Sequence, residues 1–265
     1  MAKRIDKNEI TSTAPLWEFS EEDARLSVVK GNSKIGKTIY SISTLPGDTE
    51  HLLRLKDGRL LTTTPGTCSG NCATCFDSGC YAVNSARRYY NTVIPAWAGN
   101  TLLLRSGRLF SEVKKFIDLK NAGEEKKITM FRINVSGEIT CAEDLHEWNE
   151  IAKAHPEIQF GLYTKNYDAL EAFLKKDGKP VKNFVINVSQ WHGVADEFLA
   201  RHPGEFNVFE YDDSNKTGKA SRGRHCPAVK KNGKRAIKKD GKPVTCDGCT
   251  YCYKQTGKVT KVYAH

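Results

Sequence analysis

The 265-residue chain contains no run of apolar residues approaching the roughly eighteen that cross a bilayer. Its opening stretch, MAKRIDKNEITSTAP, lacks the apolar core of a secretory signal. Both absences predict a protein without a membrane segment, at work in the cytoplasm. Acidic residues are nearly missing from the last part of the chain. From Ser214 to His265 two Asp/Glu face fourteen Lys/Arg, a net +12, whereas the whole chain carries +10 and the remainder therefore −2. A basic segment on a near-neutral body points to nucleic acid as the partner, and equally fits a solubilising lysine-rich surface.

What is present is an ordinary globular composition, 39% hydrophobic and 27% charged, which excludes a disordered chain and leaves enough apolar surface for a full core. Residues 1–24 read as a polar lead-in. Alternating segments at 25–29, 38–45 and 51–62 predict strands, with a turn at Asp57-Gly58. A helix is expected over 82–104, interrupted at Pro95, and another over 107–119. The rhythm then changes. Strands at 128–136, 158–164, 183–189 and 207–213 alternate with helices at 142–154, 167–175 and 194–200, the pattern of βα units on a parallel sheet. These strands end in polar residues, including Asn134, Ser136 and Glu138, Thr164 and Lys165, Asn187 and Ser189, and Asp212 and Asp213. In parallel βα architectures the working face lies at those carboxyl ends. The expected organisation is a first domain over 1–213 and a small, basic, loop-rich module over 214–265.

GNSKIGKT (31–38) satisfies the phosphate-loop pattern G-x-x-x-x-G-K-[ST] letter for letter. That loop must open a helix whose amides cradle phosphates. Here TIYSISTLPG follows, β-branched and alternating, so a hairpin is expected and nucleoside triphosphate binding is not.

Nine cysteines form two sets of four plus Cys141. Clustered cysteines in a cytosolic chain favour metal over disulfides. Cys226 with Cys246, Cys249 and Cys252 places three thiols in one tight C-x-x-C-x-x-C loop, suited to three irons of a cubane, with zinc as the other reading. Cys68, Cys72, Cys75 and Cys80 lie within thirteen residues. Either three of them hold a cluster with one iron open, or all four close it.

CSGNCATC is similar to the cysteine signature of the radical S-adenosylmethionine (SAM) superfamily, and SGE at 136–138 resembles its Gly-Glu motif. Thr74 stands where that signature carries an aromatic residue. The resemblance implies a [4Fe–4S] cluster at the 68–80 loop, which with the one expected from the C-terminal spacing makes two [4Fe–4S] clusters, a partial (β/α) barrel with parallel strands, and SAM held by Ser136, Gly137, Glu138, Asn187 and Ser189, with the carboxylate of Glu138 on the SAM amino group. It also implies reductive SAM cleavage at the 68–80 loop, fed by an electron donor such as flavodoxin or ferredoxin. More specifically, GNSKIGK, the loop ending CYA, NTVIPAWAGNTLLL, RINVSGE, YTKN and HCPA with the closing cysteines resemble a phage-associated family called gene product eighty-eight, over about residues 28–253. That likeness implies a viral protein in the host cytoplasm and no particular substrate. The alternative expectation is a non-enzymatic nucleic-acid-binding protein whose iron–sulfur or zinc centres are closed and structural.

Overall fold

The structure, a computed structural model, describes residues 3–4, 13–32, 35–68, 73–77, 79–123, 127–212, 223–228 and 236–263. A short antiparallel pair, β1 (Lys3–Arg4) and β2 (Trp17–Glu18), precedes a hairpin of β3 (Val28–Asn32) and β4 (Gly36–Ile42). Helices α1 (Ala73–Asp77), α2 (Tyr81–Arg88), α3 (Tyr90–Arg105) and α4 (Leu109–Ala122) follow. The βα repeat then runs β5 (Met130–Ile133), α5 (Ala142–Ala154), β6 (Gln159–Thr164), α6 (Tyr167–Asp177), β7 (Phe184–Gln190), α7 (Asp196–Arg201) and β8 (Asn207–Asp212). Last come β9 (Arg224–His225), α8 (Cys246–Cys249), a 3-10 turn at Tyr251–Tyr253, and β10 (Val259–Tyr263).

Eight of these strands make one sheet in the order β3-β4-β5-β6-β7-β8-β10-β9. Only the β3–β4 pairing is antiparallel. From β4 to β8 the spatial order follows the chain order, so every crossover steps the same way and its helix falls on the same face. On that face Phe131, Phe160, Leu162, Phe184 and Ile186 pack against Val113 and Ile117 of α4, Trp148 of α5, Leu170 and Phe173 of α6, and Phe198 of α7. The intervening strand residues point the other way, because side chains alternate along a strand. Arg132 pairs with Gly161, Tyr163 with Asn187, and Asn187 with Asn207 across this second face.

The expected partial barrel is corrected to an open, mostly parallel sheet, with β3 and β9 as its two edges. The physical reason lies on the second face. The Tyr253 ring lies so close to Gly161 that a Cβ there would stand 2.7 Å from it, and Ile35, Ile39 and Met130 complete a small core around that ring. The Asn187 amide donates to the Cys252 carbonyl (3.0 Å), and the Asn207 amide donates to the Lys254 carbonyl (2.9 Å). Asn207 Oδ1 also accepts the backbone N–H groups of Thr256 (2.8 Å) and Gly257 (3.1 Å). The surface that a curved barrel would wrap around is thus occupied by the chain's own residues 246–257. Beyond them, β10 extends the sheet beside β8. The VTKVY run that forms it was not among the expected strands. Residues 214–222 and 229–235, which carry much of the lysine-rich stretch, lie outside the described residues.

GNSKIGKT forms the expected hairpin, although residues 33–34 fall outside the described residues. The carboxylate of Asp247, in α8, accepts the Lys37 backbone N–H (3.0 Å) and the Thr38 hydroxyl (3.2 Å), while the Asp247 N–H donates to the Ile35 carbonyl (2.9 Å). Gly36 makes this approach possible. Its φ is +98°, and a Cβ would stand 1.9 Å from the Asp247 carboxyl carbon. The motif's second glycine therefore receives the protein's own carboxylate.

Helix boundaries follow the sequence closely except at one break. The long helix is interrupted at Tyr89, whose φ of −122° leaves the helical region, and Pro95 sits inside α3. Because Pro95 lies near the start of α3, it forfeits one backbone hydrogen bond without ending the helix.

Burial acts against the charge of Asp247, yet hydrogen bonds from Thr245, Thr38 and the Lys37 amide hold its carboxyl below the ordinary value of 3.8. Asp247→Asn turns one acceptor oxygen into a donor facing a donor. The substitution should lower global stability by about 1–3 kcal/mol in chemical denaturation. It should also speed hydrogen exchange at the Lys37 amide relative to the amides of α5.

Candidate functional site at the carboxyl ends of the strands

Strands β4 to β8 run in parallel, so their carboxyl ends share one edge of the sheet. Beyond β4 the chain passes Thr44 and reaches the cysteine loop at Thr67-Cys68. Beyond β5 it makes the tight Asn134–Glu138 turn, with Asn134 at φ +47° and Gly137 at φ +79°. The two exits are laced together. The Thr44 N–H donates to the Ser136 carbonyl (3.0 Å), the Thr44 and Thr67 hydroxyls bond to each other (2.7 Å), and the Glu138 N–H donates to Thr67 Oγ1 (2.9 Å). Gly137 is required here, because a Cβ would stand 1.9 Å from Thr44 Oγ1.

The Glu138 side chain is buried and accepts two backbone N–H groups, from Ile139 (2.9 Å) and from Lys165 beyond β6 (2.8 Å). Burial pushes its carboxyl above the ordinary 4.5, against the Lys165 amide and the Lys165 charge. Asn187 is buried, and its amide also reaches the Leu162 carbonyl (3.0 Å). At Ser189 the backbone carbonyl accepts the Tyr167 hydroxyl (2.6 Å). Ser136 is 3% exposed, and its Oγ has no hydrogen-bond partner among the described residues. Ser136, Gly137 and Glu138 thus sit together beyond β5, with Ser189 at the end of β7. Asn187 faces the C-terminal segment instead.

In the 68–80 loop, Cys75 lies on α1 and Cys80 caps the N-terminus of α2, while Cys72 lies outside the described residues. The Cys75 thiol donates a hydrogen bond to the Cys80 sulfur, burial opposes ionisation, and the Val83 and Ala82 backbone N–H groups and the Lys165 charge favour it. The balance draws the Cys80 thiol down to about 6. A thiolate at a helix N-terminus beside a lysine is the arrangement that activates cysteine. No described cysteine is in a disulfide.

The C-terminal set behaves differently. Cys226 follows β9 and donates its N–H to the Lys261 carbonyl (2.8 Å), and Cys246 and Cys249 bound α8. Burial pushes the Cys252 thiol up to about 11; a hydrogen bond with Tyr163 acts in the opposite direction, and Cys226, Cys246 and Cys249 add to the rise. Among the described residues, no three or more His, Cys, Asp or Glu side chains form a group that could hold a metal ion. Metal ligation requires side chains of that kind converging on one point. This overturns the reading as a two-cluster iron–sulfur protein and the SAM cleavage built on it. It overturns equally the alternative of closed iron–sulfur or zinc centres.

Arg132 and Tyr253 escaped sequence reasoning. Arg132 lies over the Tyr163 ring, 4.7 Å from its centroid, and reaches Tyr81, Tyr253 and Cys246 electrostatically. The available signal was an arginine inside the otherwise apolar strand ITMFRI.

Glu138→Ala should leave two buried N–H groups without an acceptor, costing about 2 kcal/mol or more in denaturant unfolding. The pH dependence has a definite sign. A carboxyl raised on folding contributes stability that is complete below its unfolded value of 4.5 and is lost as pH rises through the folded value. Wild-type stability should therefore carry a component that declines as pH rises from 4.5, and Glu138→Ala should remove that component.

No helix among the described residues is long and apolar enough to cross a membrane. No curated protein and no solved structure matches the chain. A family model described as Gene product 88 matches residues 17–255, taking in GNSKIGK, the cysteine loop, the SGE turn and the closing cysteines. The radical-SAM resemblance is left without support. With nearly the whole described fold inside that match, the chain belongs to the phage Gene product 88 family.

Proposed function

We propose that the carboxyl edge of the sheet is a dithiol site that reduces a disulfide substrate. The observation that carries this reading is the placement of Cys80 at the N-terminus of α2 with Cys75 five residues before it on α1, in surroundings that draw the Cys80 thiol down. In the reaction the Cys80 thiolate attacks one substrate sulfur and expels the other as a thiolate. Cys75 then attacks the mixed disulfide at Cys80, closing a Cys75–Cys80 bond and releasing the second substrate thiol. Two electrons pass from protein to substrate, and the Cys75 proton leaves on a departing thiol. The helix amides and Lys165 stabilise the attacking thiolate, and Glu138 fixes the Lys165 backbone.

Reduced full-length protein given 2-hydroxyethyl disulfide should form one intramolecular disulfide, mapped by peptide mass spectrometry to Cys75 and Cys80. Cys80→Ser should block the reaction, and Cys75→Ser should stall it at the mixed disulfide. Alkylation of Cys80 should be half-maximal near pH 6, following its lowered value of about 6; an ordinary thiol would require about 8.5. A Cys80 that stays unreacted at neutral pH overturns the reading, as does its protection by a bound metal that a chelator strips away.

A second reading concerns the basic segment. A cavity of about 470 Å³ is lined by Gly223 and Arg224 at β9, Tyr251, and Lys258 and Val259 at β10. Two cations beside an aromatic ring suit a phosphate next to a stacked base, and the surrounding charge favours single-stranded nucleic acid. Binding should fall steeply with salt, and Lys258→Glu should flatten the slope of log affinity against log salt by about one phosphate contact. Absence of any RNA or DNA affinity at low salt leaves the segment as a solubilising surface.

A further inference from the structure

We infer that an oxyanion-binding site lies beside the dithiol, built from Arg132, Ser136 and Tyr253, so that the substrate carries a carboxylate or phosphate group. Its reaction rests on the dithiol reading, whereas its binding does not.

Three hydrogen-bond donors shielded from solvent on this side of the sheet lack an acceptor among the described residues: Arg132 Nε, Ser136 Oγ and the Tyr253 hydroxyl. Buried donors are almost always satisfied in folded proteins, so a group of them calls for an acceptor that the described residues do not supply, and a bound anion is one. Arg132 and Ser136 lie on β5 and its exit, and Arg132 reaches both Tyr253 and Tyr81, the residue next to Cys80. Ser136 and Tyr253 are 3% and 4% exposed, which makes the missing acceptor costly.

The charges fit an anion. The guanidinium of Arg132 has a π face as its neighbour, the Tyr163 ring, and Lys165 adds a second cation on the Cys80 side. Two acidic side chains stand at this edge, Asp212, which pairs with His225 (3.3 Å), and Glu138. Both oxygens of Glu138 are taken by backbone N–H groups, and burial favours its neutral form. Arginine with hydroxyl donors is the donor set that recognises carboxylate or phosphate. An anionic group held there would present an attached disulfide to Cys80.

The test is a calorimetric titration of inorganic phosphate and, separately, acetate into the reduced full-length protein and into Cys80→Ser. Saturable binding is expected in both proteins, weakened about tenfold by Ser136→Ala or Tyr253→Phe, since each removes one hydrogen bond to a charged acceptor. Tighter phosphate assigns a phosphate-bearing substrate, and tighter acetate a carboxylate-bearing one. Absence of saturable binding by either anion overturns the inference, as does binding that both substitutions leave unchanged. Anion binding that persists while Cys80 remains inert to disulfides removes the dithiol reading and leaves the anion site standing.

Discussion

A parallel sheet buries its strands only if both faces are covered, and in this protein one face receives no crossover helix. The βα crossovers from β4 to β8 all step the same way, so α4 to α7 accumulate on a single side. The opposite side receives residues 246–257, laid down by three side chains. Asp247 grips the β3–β4 hairpin, Asn187 takes the Cys252 carbonyl, and Asn207 takes four groups between Lys254 and Gly257. Each is a polar residue placed where an apolar one would pack, and each satisfies backbone groups that burial would otherwise leave orphaned. The positions of Tyr253, Cys252 and Cys246 depend on these anchors.

The same lacing shapes the carboxyl edge. Thr44, Thr67, Gly137 and Glu138 tie the exits of β4, β5 and β6 into one unit, and Cys80 draws on that unit through Lys165. The Cys75 side chain, backbone amides and one lysine favour ionisation of the Cys80 thiol, while five strands later in chain order the Cys252 thiol is driven the other way by burial. Two sets of cysteines of similar spacing thus meet opposite electrostatic environments. Spacing alone does not decide what a cysteine does; the field around it does.

The βα repeat was legible because apolar alternation and helical periodicity are local signals. The α5 boundaries, 142–154, follow from the apolar spacing of Ala142, Leu145, Trp148 and Ile151, closed by His155 and Pro156. The hairpin at GNSKIGKT was legible for the same reason, since a β-branched run favours a strand over a helix. The β10 strand was not legible, because VTKVY sits in a lysine-rich context that reads as solvated surface, and its strand character comes from pairing with β8. The polar strand ends share one edge of the sheet, as the βα pattern implied. Assigning Glu138 to a bound amino group overlooked an acceptor role toward the Ile139 and Lys165 amides, and no local pattern marks that role. The cysteine spacing suggested clusters because spacing carries ligand order but not whether sulfurs converge. Arg132 and Tyr253 became visible only when the tail was placed over the strand.

The contact between Asp247 and Lys37 joins residues 210 positions apart in the chain. A ribosome delivering this protein completes the hairpin, the helices and β8 well before the residues that cover the sheet's second face exist. During that interval Ile39, Met130 and Tyr163 face water or a chaperone. Long-range closure of this kind is entropically slow, because the intervening chain must be ordered before the contact contributes anything. Maturation should therefore be governed by the last contacts made, with the tail acting as a clasp that locks a sheet already assembled.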